Sequence, residues 1–335
     1  MNRARGALVS VALAIIVGAG VIVGAASLWF RNAVYAPSGL PAQATDVVIP
    51  AGTTFGGVVG ILERAGVLAH PLAFRLVARF RGVSAELQAG EYRFPPDQTT
   101  DQILDRIVRG EQVAVWVTIP EGFTARQIAE TLTEHHLGSD GAYDALFLHH
   151  GLSIDGARTP DMEGFLFPDT YLVPLDATPD AVARMMVDQF RRELPSDAAA
   201  RAKALGLTVP QVVTVASLVE REGKIDSERP MIAGVIYNRL RLGMPLEVDA
   251  SLEYAFAEHH DVITKRDLSV DSPYNTYRHT GLPPTPIANP GKPSLDAAFF
   301  PARTDMLYYV AKGDGSHAFA RTFAEHERNV ERYLK

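Results

Sequence analysis

Residues 208–223 read TVPQVVTVASLVEREG, a stretch whose spacing predicts a helix with both ends marked. Thr208 is a hydroxyl N-cap, and Pro210 sits in the first turn, where a missing N–H costs nothing. Val212, Val215, Ala216 and Val219 stand at i, i+3, i+4 and i+7 and form one apolar stripe. The helix ends in Glu220-Arg221-Glu222-Gly223. At about 100° per residue, Arg221 projects opposite the stripe, while Glu220 and Glu222 fall on its two flanks, about 200° apart. Both carboxylates therefore border the core but cannot face one bond of a bound molecule together. That speaks against their serving as the two carboxylates of an ordinary glycosidase, which flank the scissile bond. One working glutamate is the natural use of the pair. The wheel does not choose between them, and a solvated residue or a partner of Arg221, Lys224 or Arg229 is the alternative for each.

Downstream, Ser227 is positioned to cap a second helix from Glu228, with Ile232, Val235, Ile236 and Leu240 as its buried stripe and Gly243 as its end. Asn238 inside that helix is a poor helix former unless its amide has a task. Pro273-Tyr274-Asn275-Thr276-Tyr277 and Gly281-Leu282-Pro283-Pro284-Thr285-Pro286-Ile287-Ala288-Asn289-Pro290-Gly291 form a loop too rich in proline and aromatics to be a tether. Loops of that stiffness build sites or packed lids. Upstream, Glu163 opens Glu163-Gly164-Phe165-Leu166-Phe167-Pro168-Asp169-Thr170-Tyr171, either as a turn residue or as a carboxylate lining a cleft at a strand start.

The chain of 335 residues is 47% hydrophobic and 21% charged, with a net charge of −7 and no cysteine. This suits about two globular domains and excludes disulfides, cysteine-ligated zinc, iron–sulfur clusters and thiol nucleophiles. An acidic balance gives no electrostatic footprint for nucleic acid. Gly6 to Phe30 contains no charged residue, with Arg3 and Arg5 before it and Arg31 after it. At about 1.5 Å per residue it spans the roughly 30 Å hydrocarbon layer. Trp29 and Phe30 close it with interfacial aromatics, and the arginines predict a cytoplasmic N-terminus. Val23-Gly24-Ala25-Ala26 could pass for a signal cleavage site, but the run is longer than a signal peptide needs. An anchor in the cytoplasmic membrane, with the bulk of the chain in the periplasm or its equivalent, is the expectation.

After a linker from Ala36 to Thr45, Ile49-Pro50-Ala51-Gly52-Thr53-Thr54 is echoed by Ile119-Pro120-Glu121-Gly122-Phe123-Thr124, each reading as strand, turn and threonine-capped helix. Either these are two ordinary strand–turn–helix units, or they resemble LysM-like modules, which bind N-acetylglucosamine-containing glycans. The doublets His135-His136, His149-His150 and His259-His260 lack a His-Glu-x-x-His frame, and surface histidines rather than a metal site are expected.

Taken together, residues 215–222, 237–246, 274–277, 281–284 and 163–171 resemble the MltG (YceG-like) endolytic murein transglycosylases, as do the single anchor and the LysM-like part. The resemblance runs nearly the whole chain and departs locally at Glu247, where the family usually has Gln, and at Ala250, where it has Pro. The implied fold is α+β: a cytoplasmic N-terminus (1–5), a transmembrane helix (6–30), a linker (31–45), a LysM-like region (46–155) and a mixed α/β catalytic domain (156–335). The implied reaction cleaves the MurNAc–GlcNAc β-1,4 bond of nascent peptidoglycan and leaves a 1,6-anhydro-MurNAc end, without cofactor or metal. By analogy with the family's Glu-x-Glu motif, Glu222 is the acid and then the base, with Glu220 in support. Asn238, Tyr274, Asn275, Tyr277 and Glu163 are expected along the glycan groove. Peptidoglycan synthases are implied partners. The alternatives are a silent peptidoglycan-binding scaffold, or a muramidase with Glu163 or Asp249 as a second carboxylate.

Overall fold

The computed structural model describes residues 2–256, 264 and 266–334. In chain order the elements are α1 (Asn2–Tyr35), β1 (Thr45–Ile49), α2 (Phe55–Arg64), α3 (Pro71–Arg81), β2 (Gly90–Phe94), α4 (Thr100–Val108), β3 (Ala114–Thr118), α5 (Ala125–Glu134) and α6 (Asp140–His149). There follow β4 (Ser153–Ile154), β5 (Ala157–Arg158), β6 (Thr170–Pro174), α7 (Pro179–Glu193), α8 (Ala198–Ala204), α9 (Val209–Glu222) and α10 (Arg229–Leu242). The chain closes with α11 (Asp249–Ala255), α12 (Lys292–Phe299), β7 (Tyr308–Ala311), β8 (His317–Ala320) and α13 (Phe323–Tyr333). The class is α+β, with one N-terminal apolar helix long enough to cross a membrane, Ile15–Tyr35, among the described residues.

Two compact units are present: residues 1–116 with 172–175, and residues 117–171 with 176–335. In the first, β1 and β2 pair antiparallel with Val47 opposite Tyr92, within a sheet ordered β1-β2-β3-β6. Val59, Leu62, Phe74, Tyr92, Phe94, Leu104 and Ile107 fill its core. The last turn of α1 joins that core: Ala33 and Val34 are buried, and the Thr100 hydroxyl donates to the Ala33 carbonyl at 2.7 Å. The stretch expected as a linker from residue 31 thus begins as helix, because Ala33 and Val34 have an apolar surface to meet.

The two related turns behave alike locally. Gly52 and Gly122 take φ of +74° and +77°, a region that disfavours side chains. Thr54 and Thr124 accept hydrogen bonds from the N–H groups of Gly57 and Gln127. The second turn nevertheless belongs to the second unit, where the expectation kept both in one region ending near residue 155. The reason is specific bonding: Gly122 N–H donates to the Asn289 carbonyl at 2.9 Å, and Asn289 N–H to the Phe123 carbonyl at 2.8 Å.

The second unit is organised around α9. Val212, Val213, Val215, Ala216, Leu218 and Val219 are all fully buried, more of the circumference than the predicted stripe. Burial at about 1.5–3 kcal/mol per large aliphatic side chain makes this helix the fixed element of the unit. Thr208 caps it in a reciprocal box with Gln211. The following helix differs from expectation at its start: residues 226–228 form a 3₁₀ turn, and α10 begins at Arg229 without a serine cap. Gly243, at φ +66°, ends it as predicted.

Candidate active site

Two faces at the end of α9 hold the two glutamates apart. One face pins the proline-rich loop: the Ile287 N–H donates to the Ser217 hydroxyl at 3.0 Å, and the Gly291 N–H to Glu220 Oε2 at 3.0 Å. Glu220 Oε1 also meets Arg229 at 3.2 Å, both side chains being under a tenth exposed. Arg229 bonds further to Asp226 and to the Ser294 hydroxyl. Glu121 packs beside Gly291 on the same side, and burial together with the Glu220 charge pushes its carboxyl upward. Glu220 is thus consumed in a buried ion pair.

Glu222 projects to the other side. Its carboxyl accepts a hydrogen bond from the Tyr309 hydroxyl, and burial pushes it up to about 7 against that bond. The charges of Asp249 and Glu253 raise it further, and Arg221 lowers it. Arg221 is itself drawn to Glu253 at 3.1 Å. Asp249, at the start of α11, accepts from the Tyr277 hydroxyl at 2.5 Å. A cleft of about 680 Å³ adjoins Arg221 and Glu253, with Arg126, Glu130, Glu163, Ala250 and Tyr254 also among its walls and Glu222 itself outside its lining. A carboxyl poised near neutrality can both give and take a proton.

The profile of the YceG-like family matches residues 47–332. The chain belongs to the YceG-like family. It is 31% identical to the endolytic murein transglycosylase of Bacillus subtilis over 94% of this chain and 91% of that protein. It is 30% identical to the endolytic murein transglycosylase of Streptococcus pneumoniae over 86% of this chain, but spans only 58% of that protein's length. A crystal structure of a YceG-like protein from Listeria monocytogenes superposes with a TM-score of 0.60 at 30% identity, over 86% of this chain and 99% of that one.

In this YceG-like protein several residues expected along a glycan groove have other partners. Asn238 donates both amide hydrogens to backbone carbonyls, of Thr304 at 2.9 Å and Met306 at 3.0 Å. Arg239 adds bonds to the carbonyls of Leu307 at 2.7 Å and Leu246 at 3.1 Å. Together they clamp the segment that runs into β7 and carries Tyr309. Asn275 likewise spends its amide on the carbonyls of Leu268 and Val270 and accepts from the Tyr277 N–H at 3.0 Å. For both asparagines the expected sugar contact gives way to loop construction, because each amide hydrogen is already donated to a carbonyl. Tyr274 packs on Tyr254 with ring centroids 5.0 Å apart and shares a hydrogen bond with Thr285. Tyr277 stands beside Asp249 and close to Glu222, half-buried and nearest to the role expected of it.

Glu163 lies in a turn rather than at a strand start and is 1% exposed. Its oxygens accept from the Ala125 N–H at 3.0 and 3.1 Å, from the Asn289 amide at 3.0 Å and from the Tyr254 hydroxyl at 3.1 Å. It therefore ties the N-terminus of α5 to the proline-rich loop. Burial pushes its carboxyl up to about 8, while the bonds from Ala125 and Tyr254 pull it down. The same side chain is also among the residues that line the cleft beside Arg221 and Tyr254. Glu247 pairs with Arg239 at 2.8 Å. The doublets His135-His136 and His149-His150 are exposed, and His259-His260 lie outside the described residues.

Tyr309 was not legible in the sequence. Its strand is fixed from behind by His317, whose backbone N–H and Nδ1 meet the Glu228 carboxylate at 3.0 and 2.8 Å and whose ring lies edge-on to Tyr309 at 5.5 Å. A tyrosine in an aromatic strand reads as core, and nothing local marks its hydroxyl.

Proposed function

We propose that this YceG-like protein is an endolytic lytic transglycosylase of peptidoglycan. It cleaves the MurNAc–GlcNAc β-1,4 bond of nascent strands and leaves a 1,6-anhydro-MurNAc end. The observation that carries the proposal is the single carboxyl of Glu222, raised to about 7 at the end of a rigid helix and bonded to Tyr309. Protonated, it donates to the departing glycosidic oxygen. As a carboxylate it then takes the proton from the C6 hydroxyl of the same sugar, whose oxygen attacks its own C1. The nucleophile is part of the substrate, so no base for water is required. The names of the relatives support the substrate class. Glu220, neutralised by Arg229, supports the helix end rather than the chemistry. Tyr277 and Tyr274 are the proposed sugar contacts, and the LysM-like reading of the two turn units adds a second glycan contact. The apolar helix supports a single-pass anchor with a cytoplasmic N-terminus and the bulk of the chain outside, where synthases that extend the strands would be neighbours.

One observation favours a second reading. Asp249 is near enough for its charge to raise Glu222, and in a muramidase it would activate water. Mass spectrometry of fragments released from purified glycan strands by the full chain, beside Glu222→Gln, separates the readings. Anhydro ends from the wild type alone support the transglycosylase. Hydrated reducing ends identify the muramidase, and cleavage by neither protein leaves the scaffold.

A further inference from the structure

Helix α3 has two apolar faces where a surface helix needs one. Ala73, Phe74, Val77 and Ala78 point into the core of the first unit and are buried. On the opposite side Leu72, Arg75, Leu76, Arg79 and Phe80 follow the spacing of a single helical face. Leu72 is 58% and Phe80 76% exposed, and Arg75 and Arg79 are exposed with them. An isolated exposed leucine needs no explanation, but a leucine–phenylalanine face studded with arginine has the composition of a helix lying in a bilayer interface.

The neighbour of that face is the end of the apolar helix. The Phe80 ring meets Phe30 edge-to-face, with centroids 6.1 Å apart and planes at 87°. Phe30 belongs to the candidate span, Trp29 beside it is 45% exposed, and Arg31 follows as the first charged residue. α1 is unbroken to Tyr35, and its last turn is buried in the first unit through Ala33 and Val34. From Phe30 to Val34 is about one helical turn, roughly 6 Å. No tether separates the span from the unit, so whatever depth Phe30 has, Phe80 shares.

We propose that the outer face of α3 is a membrane-contacting surface. Leu72, Leu76 and Phe80 sit in the interface of the leaflet from which α1 emerges, and Arg31, Arg75 and Arg79 bind the phosphates of anionic lipids. Arginine suits this position, since its stem lies along apolar surface while the guanidinium reaches the headgroups. The surface orients the first unit on the bilayer, where a single helix alone would leave it free to rotate. The proposal rests on the reading of α1 as a membrane anchor.

The absence of native cysteine permits a direct test. Full-length protein carrying Leu72→Cys, Phe80→Cys or, as a reporter of the span, Ile22→Cys is labelled with an environment-sensitive fluorophore. It is then reconstituted into phosphatidylcholine–phosphatidylglycerol vesicles containing a shallow lipid-borne quencher. We expect blue-shifted, quenched emission at positions 72 and 80, relieved when Arg75→Glu and Arg79→Glu are added or when the vesicles are phosphatidylcholine alone. Quenching that ignores both changes would overturn the anionic-lipid part. A label quenched at 22 but solvent-like at 72 and 80 would overturn the surface while leaving the anchor, and would give the face to a protein partner. A label solvent-like at 22 would overturn the anchor and the surface together.

Discussion

The Tyr309 hydroxyl, on a β-strand near the end of the chain, donates its hydrogen to the carboxyl of Glu222 at the end of α9. A donated hydrogen bond favours the carboxylate, so it opposes the burial that raises Glu222 to about 7. Removing the hydroxyl while keeping the ring should therefore raise the glutamate further. For Tyr309→Phe the alkaline limb of kcat/KM on glycan strands is expected to move up by about one pH unit, a hydrogen bond to a charged group being worth about 1.5–3 kcal/mol. An unmoved limb with a lowered rate would mean that Tyr309 only packs.

The two glutamates of α9 should fail in opposite ways. Glu222→Gln is expected to lower turnover by about 10²–10⁴-fold, the range for loss of a general acid–base, with stability at neutral pH unchanged or raised. Glu220→Gln leaves the buried Arg229 without its closest buried carboxylate, with Asp226 and the nearby Glu121 remaining, and weakens the bond from the Gly291 N–H. Breaking one side of a buried pair costs about 3–5 kcal/mol, so this variant should denature early but keep its pH profile. Denaturant titration and rate measurements on both proteins check the pair, and a Glu220→Gln protein that is stable but inactive would reverse the roles.

The sequence made the local devices readable because they depend on near neighbours. The threonine caps, the glycine ends of the turns and the apolar stripe of α9 all follow from spacing within a few residues. The separation of Glu220 from Glu222 was also readable, as a consequence of helical pitch. What each glutamate meets was not, since Arg229, Gly291 and Tyr309 arrive from other elements. Asn238 shows the same limit: its oddity in a helix was visible, but the carbonyls of Thr304 and Met306 that explain it lie far along the chain. The second Ile-Pro-x-Gly-x-Thr turn matches the first locally, and it is bonds to Asn289 and Glu163, far along the chain, that join it to the second unit.

Gly164, next to Glu163, packs directly against the proline-rich loop at Pro286. It holds φ of +88°, and a Cβ there would stand 2.4 Å from Pro286 and 3.2 Å from Val213. Neither neighbour is a flexible end, so Gly164→Ala combines backbone strain with overpacking. A loss of about 2–4 kcal/mol is expected by denaturant titration. Gly56→Ala, at a helical site with open space and an ordinary φ, should be neutral or slightly stabilising by the same measurement.

Glu163 sets a pH dependence of stability whose sign can be stated. Its folded carboxyl titrates at about 8 against an ordinary 4.5. Between those values the folded protein holds a proton that the unfolded chain has released, so stability is greatest below about 4.5 and falls as pH rises toward 8. Glu222, raised to about 7, contributes in the same direction and must be removed to isolate the effect. In a Glu222→Gln background the protein should therefore lose a few kcal/mol between pH 5.5 and pH 8. Adding Glu163→Gln should remove most of that slope, the remainder belonging to the other raised carboxyls, Glu121 and Asp161. It should also lower stability at pH 5.5 by about 1–3 kcal/mol, because an amide NH₂ would confront the donors of Ala125, Asn289 and Tyr254. Chemical denaturation of the two proteins at both pH values is the measurement. A slope that survives Glu163→Gln undiminished would assign the proton to another group.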